Sequence, residues 1–326
     1  MTADRIRADR KDTLIDISVV ICVYTEQRWD DFLLAVDSVK QQSISPKEII
    51  VIVDHNPIML ERLRAHVSGV AAIENDEYRG LSGARNSGID AARGTVIAFL
   101  DDDAVAAPDW LQELSAGYQD PMVLGVGGTV KPMWLKSRPA WFPEEFNWVV
   151  GCTYQGMPRK TAPIRNFIGC NMSFRREVFE AIGKFRRDIG RVGTRPLGCE
   201  ETELCVRLSQ YWPNSVLLYK PSACVHHRVP ASRASWPYFL SRCYSEGLSK
   251  ALVTRSVGTK DGLASERAYT FKTLPQGALR GLKDTLVHCD PTGVERTGSI
   301  IAGLLFTTCG YLAGKIAGGR QRRSTG

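Results

Sequence analysis

An α/β fold built on an open, mostly parallel, twisted sheet flanked by helices is what this 326-residue sequence predicts, and three observations predict it. β-branched runs alternate with segments of helical periodicity through the first third of the chain, the pattern of β-α-β units. The runs show no polar alternation, as expected of strands covered on both faces. They also stop at acidic or polar residues, on the rim where open α/β sheets bind their ligands.

The runs IDISVVICVY (15–24), EIIVIVD (48–54) and TVIAFL (95–100) read as buried strands. Between the first two, DDFLLAVDSVKQQ places Phe32, Leu33, Val36 and Val39 at helical spacing. Met59, Leu60, Leu63 and Val67 mark a second helix; VAAIEN is a short apolar stretch, and SGARNSGIDAARG a Gly-rich helix. Further on, VLGVGGTVKP (123–132) reads as a strand and IGCNMSFRREVFEAIGKF as a strand edge followed by a helix. GCEETELCVRLSQ opens another helix, and SVLLYKPSACVHHRVP returns as a strand. The Trp/Pro-rich stretch PMWLKSRPAWFPEEFNW (132–148) has few regular signals and reads as a loop or lid. The last third is helical and basic. The chain shows no internal repeat and no low-complexity block.

At 44% hydrophobic residues the chain can bury a full-sized core. Nine cysteines, an odd number without a CxxC pair, fit neither a disulfide framework nor a zinc ribbon. They read as reduced thiols of a cytosolic protein. The N-terminal MTADRIRADRKD has mixed charges and no apolar core, so residues 1–14 read as a flexible tail rather than a signal peptide. The net charge of +7 is unevenly spread: from Arg228 onward there are fifteen Lys/Arg against six Asp/Glu, and the rest of the chain is slightly acidic. The basic region therefore faces something anionic, a membrane surface or a nucleic acid.

The chemistry concentrates in AFLDDDAVAAPDW (98–110), where Asp101, Asp102 and Asp103 follow one strand end. Three adjacent carboxylates repel one another unless a positive charge lies among them. Helix capping is the bland alternative, yet PDWLQEL can be capped by its own neighbours. Carboxylates on a strand-end rim instead suit a hard divalent cation, which takes oxygen ligands and bridges phosphates. Asp54 ends the second strand, and Tyr24 and Glu26 follow the first, so polar groups from three strand ends share one rim.

Four segments, VVICVYTE, IIVIVD, GLSGARNSGIDAARGTVIAFLDDDA and GCEETELCVRL, together resemble a family 2 glycosyltransferase of the GT-A fold. The resemblance covers about residues 16–230, with the four motifs in the family's order. It implies a GT-A domain over 15–230, with a donor half at about 15–122 and an acceptor half at about 123–230, followed by a basic helical region at 231–326.

By this resemblance Tyr24, Glu26 and Asp54 hold the donor's base and ribose. His55 stands where many members have a second Asp, a departure that bears on the expected uridine. Arg85 of GARN is carried over as the arginine near the base or diphosphate, where a planar fork suits phosphate oxygens. Gly80 and Gly83 serve either close backbone approach or loop punctuation. The triplet matches an Asp-x-Asp signature: Asp101 faces the ribose or sugar, Asp103 binds the metal, and Asp102 shares either role. Glu201, where the family usually has Asp, is the implied catalytic base, with Glu200 its partner near the acceptor. In VHHRVP, His227 rather than His226 is the implied metal or diphosphate ligand, since consecutive strand residues face opposite ways.

The resemblance implies inverting transfer in one displacement from a nucleotide-diphosphate sugar, with a UDP-sugar first, to a hydroxyl of a glycan or lipid-linked acceptor. Magnesium or manganese is the implied cofactor. The loop around Trp134, Trp141 and Trp148 either stacks on an acceptor sugar, closes over the donor, or packs internally. Residues 297–314 are uncharged, flanked by basic residues, and at the lower edge of membrane-spanning length. They read as a helix lying in the interface, giving peripheral attachment to the cytoplasmic face of a membrane; a helix buried on the domain is the alternative. Rival functions are an inactive nucleotide-sugar-binding protein and a sugar nucleotidylyltransferase, the latter normally carrying a Gly-rich basic loop that CVYTEQRWDD lacks. Nucleic acid is not an expected partner, because the tail has no alternating aromatics and no recognised module.

Overall fold

The computed structural model describes residues 15–190 and 197–324, and the tail expected over 1–14 lies outside them. The chain forms two compact units: Met1–Lys131 with Pro158–Gly193 and Glu200–His227, and Pro132–Met157 with Thr194–Cys199 and Arg228–Gly326.

The first unit follows the alternation read from the sequence. Strand β1 (Ile17–Val23) is buried along nearly its whole length. Helix α1 (Trp29–Lys40) buries Trp29, Phe32, Ala35, Val36 and Val39, one stripe at helical spacing. Strand β2 (Glu48–Val53) leads to α2 (Pro57–His66), which starts cleanly because Asn56 accepts a hydrogen bond from the Met59 amide and Pro57 needs no partner at the first position. Strand β3 (Ala71–Glu74) precedes α3 (Leu81–Ala91), whose residues Ser82 to Ile89 are all buried. Small side chains permit that: a Cβ on Gly88 would stand 2.4 Å from Val20 Cγ1, and one on Gly83 would stand 1.9 Å from the Tyr78 carbonyl oxygen.

Strands β4 (Val96–Asp101) and β5 (Ala104–Ala106) follow, then α4 (Trp110–Gly117), β6 (Val123–Trp134), β7 (Ala162–Pro163), β8 (Asn171–Arg175), α5 (Arg176–Ile182), α6 (Glu200–Tyr211) and β9 (Val216–Val229). The sheet runs β3-β2-β1-β4-β8-β6-β9-β5, with β7 on β9. Its first four strands are parallel, and β8 enters antiparallel to both β4 and β6. Asn171 seals this junction: its amide donates to the carbonyls of Thr129 and Ala223, and its oxygen accepts from the indole of fully buried Trp110. A polar residue at the centre of a sheet is tolerable because each of these groups is satisfied.

The second unit is mostly helical. Its Trp/Pro-rich segment continues past β6 into a 3-10 turn at Glu144–Val150. The three tryptophans pack internally: Trp141 stacks on Trp236 with centroids 4.6 Å apart, Trp134 meets Phe142, and the Trp148 indole donates to the Tyr269 hydroxyl at 2.9 Å. Three long helices complete the unit: α7 (Trp236–Val257), α8 (Leu274–His288) and α9 (Thr292–Ser324). Glycines let α7 and α9 touch backbone to backbone. A Cβ on Gly247 would stand 2.1 Å from the Thr307 carbonyl oxygen, and one on Gly310 would stand 2.0 Å from that of Tyr244. On α9, Ile301, Leu305, Phe306, Leu312 and Ile316 are exposed, and so are Leu279, Leu282, Leu286 and Val287 of α8. Among the described residues, Thr292–Ala317 is the one helix long and apolar enough to cross a membrane, by length and composition only.

Candidate active site

The turn between β4 and β5 carries the acids. Asp101 closes β4 beside Cys22 of β1, and Asp102 and Asp103 form the turn. The β5–β9 register sets Ala104 opposite His227 and Val105 opposite His226. This alternation brings His227, and not His226, to the acids: His227 Nε2 is 3.1 Å from Asp103 Oδ1. Ligand atoms of Asp101, Asp103 and His227 all lie within 4.8 Å of one another. Two carboxylates and an imidazole are a donor set that suits Mn²⁺ or Mg²⁺.

Two arginines answer the repulsion among the acids. Arg28 Nη1 is 3.0 Å from Asp102 Oδ1 and 3.0 Å from Asp103 Oδ2. Arg85 Nη2 reaches Asp101 Oδ1 at 3.3 Å, and its Nη1 reaches Glu200 Oε1 at 2.7 Å. Nη2 of Arg85 also donates to the Gly169 carbonyl, and the guanidinium lies over the rings of Phe185 and Phe99. Arg85 is thus 2% exposed and ties the end of β4 to the start of α6. Two guanidiniums thus face four carboxyl groups, a shortfall of positive charge that a divalent cation would offset.

Asp102 Oδ2 and Glu200 Oε2 are both buried without a hydrogen-bond partner. Burial, then the charge of Asp103, push the Asp102 carboxyl up to about 7 against the pull of Arg28. Burial also pushes the Cys22 thiol up to about 12, so it is no thiolate nucleophile at neutral pH.

The other predicted residues lie around this centre. Tyr24 is 46% exposed, with the Arg28 guanidinium 5.6 Å from its ring centroid. Glu26 begins the 3-10 turn Glu26–Arg28. Asp54 forms a separate set: its two oxygens accept from the Asn75 amide at 2.7 Å and the Gly80 backbone N–H at 2.9 Å. This fixes the entry to α3, where Gly80 has φ of 127°, a conformation that favours glycine. His55, at φ 50°, also lies in the left-handed region. Glu201 is half-buried in the first turn of α6 and accepts from the Thr202 hydroxyl at 3.2 Å. Glu203 is fully buried on Arg207, away from these groups. Arg28 is the site residue that the sequence reading missed; its only signal was a cation five residues past a strand end on the same rim.

The model of glycosyl transferase family 2 matches residues 18–183. The chain belongs to that family. Among curated relatives, the glucosyl-dolichyl phosphate glucuronosyltransferase of Haloferax volcanii is 35% identical over 241 residues, covering 73% of this chain and 77% of the relative. The succinoglycan biosynthesis protein ExoM of Rhizobium meliloti is 26% identical over 244 residues, covering 70% and 72%. Among solved structures, the mannosyltransferase PcManGT of Pyrobaculum calidifontis, in complex with GDP-Man and Mn²⁺, superposes with a TM-score of 0.54 at 17% identity, over 94% of this chain and 92% of that one. GalNAc-T7 with UDP, GalNAc and Mn²⁺ gives 0.51 at 19% identity, over 79% of this chain and 54% of that one. These two show the fold. This family 2 protein is a glycosyltransferase with the GT-A fold, and Asp101–Asp103 is its Asp-rich, Asp-x-Asp-like segment.

Proposed function

We propose that this glycosyltransferase moves a sugar, with inversion, from a nucleoside-diphosphate donor to a hydroxyl of a lipid-linked sugar at the cytoplasmic face of a membrane. The observation that carries the reading is the grouping of Asp101, Asp103 and His227 beside the Arg85–Glu200 pair. Asp101, Asp103 and His227 would hold the cation, Mn²⁺ or Mg²⁺, which when bound neutralises charge on the departing diphosphate. Tyr24, Glu26 and Asp54 border the base and ribose, with a uridine donor first in line. Asp101 and Asp102 face the donor, and Arg85 keeps the donor-side acid and Glu200 in fixed relation. Glu201 takes the proton from the acceptor hydroxyl directly, and Glu200 orients that side. The sugar passes through an oxocarbenium-like state without a covalent enzyme intermediate.

The lipid-linked acceptor is supported by the name of the Haloferax relative, which glucuronosylates a sugar on dolichyl phosphate. Membrane attachment is supported by the exposed leucines of α8 and α9 and by the basic surplus after Arg228. The test is calorimetric titration of UDP, then GDP, with Mn²⁺ and with a chelator, on the wild type and on Asp103→Ala. Nucleotide binding that needs the metal and Asp103 is expected. Binding that is indifferent to both would overturn the roles assigned to the cluster.

A further inference from the structure

We infer that Arg28 is a positioning residue of the cation site, turning Asp103 so that one oxygen is offered to the cation and holding Asp102 out of the ligand set. This rests on the metal reading of Asp101, Asp103 and His227 above. Each oxygen of Asp103 has a different neighbour: Oδ1 faces His227 Nε2 at 3.1 Å, and Oδ2 faces Arg28 Nη1 at 3.0 Å. A carboxylate contacted on both oxygens has little freedom about its last torsion, so the orientation of Oδ1 is set by what holds Oδ2. The same Nη1 donates to Asp102 Oδ1 at 3.0 Å. Asp102 lies between the two acids of the cluster in sequence yet is not one of the three grouped ligands. Without Arg28 it would be a buried carboxylate beside a dication, free to swing into the site.

Arg28 is itself held. Thr25 caps its 3-10 turn, the Tyr24 ring lies beside its guanidinium, and the next residue, Trp29, is buried against Phe32. A guanidinium has its hydrogens in a rigid plane, which suits two acceptors at fixed angles; an ammonium keeps the charge and loses that constraint.

The alternative is that Arg28 only balances charge. The two roles predict opposite signs. A mere counter-charge repels the cation, so removing it tightens cation binding and replacing it by lysine changes nothing. A positioning residue, once removed, leaves the ligand misplaced and the binding weaker. The experiment is a Mn²⁺ titration of the full chain, alone and with UDP, following free Mn²⁺ by electron paramagnetic resonance for the wild type, Arg28→Lys, Arg28→Met and Asp103→Ala. Melting curves accompany each variant. We expect Arg28→Met to lose at least tenfold in Mn²⁺ affinity, as outer-shell partners of metal ligands commonly do (about 10–100-fold), and Arg28→Lys to fall between it and the wild type. Unchanged affinity in Arg28→Lys, or tighter binding in a folded Arg28→Met, would overturn the inference while leaving the metal site intact. Failure of the wild type to bind Mn²⁺ in either condition would overturn the metal reading, and this inference with it.

Discussion

His227 and Asp103 stand 124 positions apart in sequence and 3.1 Å apart in space, joined by the antiparallel register of β5 on β9. Both are almost fully buried, so their pairing is set by the sheet and not by chance proximity of surface side chains. Asp103→Ala should abolish metal-dependent nucleotide binding, and His227→Ala should weaken it by at least about tenfold, since losing a ligand costs no less than losing its outer partner. Calorimetry with Mn²⁺ reads both; equal loss in His226→Ala would show that the alternation along β9 does not decide the matter.

Arg85 is predicted to matter for stability as well as for activity. Arg85→Met would leave buried Glu200 without its cation and half-buried Asp101 without its neighbour, and breaking a buried pair from one side costs about 3–5 kcal/mol. Urea unfolding of the purified variant should show a midpoint lowered accordingly. A midpoint within experimental error of the wild type would mean that Arg85 does not bridge the two acids in solution.

The helix contact of the second unit makes a paired prediction. Gly310→Val would drive a side chain into the Tyr244 backbone and should destabilise by about 1–3 kcal/mol or more, the usual cost of overpacking. Gly298, on the same helix, has open space where a Cβ would go, and Gly298→Ala should stabilise by up to about 1 kcal/mol through helix propensity. Thermal melts of the two variants should shift in opposite directions.

Glu246 on α7 gives a pH dependence. Lys250 lies 3.2 Å from its Oε1 and Arg242 lies 3.8 Å from its Oε2. Burial opposes ionisation, but these two cations and the Cys199 thiol outweigh it and hold the carboxyl below its usual range. The folded value is therefore depressed, so this stabilisation is complete above the unfolded value of about 4.3 and is lost as the pH falls through the folded one. Glu246→Gln should be less stable than the wild type at neutral pH, and the gap should close in acid. A gap that stays constant down to about pH 3 would contradict that assignment.

The parallel first half of the sheet was legible because its signals are local. The strands β1, β2 and β4 are nearly continuous apolar runs rich in Val and Ile, and Phe32, Val36 and Val39 mark the buried stripe of α1. The antiparallel second half was less legible, because β8 enters the sheet beside β4 through pairing that no short-range pattern encodes. Within the site, the Asp triplet announced a need for positive charge, but not its source. Arg28 lies 74 residues from Asp102, and a long side chain on an irregular turn carries no periodicity. Asp54 was legible as a rim residue, whereas its hold on Asn75 and Gly80 depends on a loop whose path the sequence does not state. Gly310 and Gly314 of α9 lie on its contact face with α7, at Tyr244 and Ala251, while Leu305, Leu312 and Ile316 are exposed.

That division of α9 into a glycine side and a leucine side has a practical consequence. The helix is at once a greasy exterior and a structural rib, so deleting it to obtain better-behaved protein would strip the backbone of α7 of its neighbour along Tyr244 to Ala251. Repainting the outer surface would spare that seam. Replacing Leu305, Leu312 and Ile316 with glutamate or lysine alters what the protein sticks to while leaving untouched what holds it together.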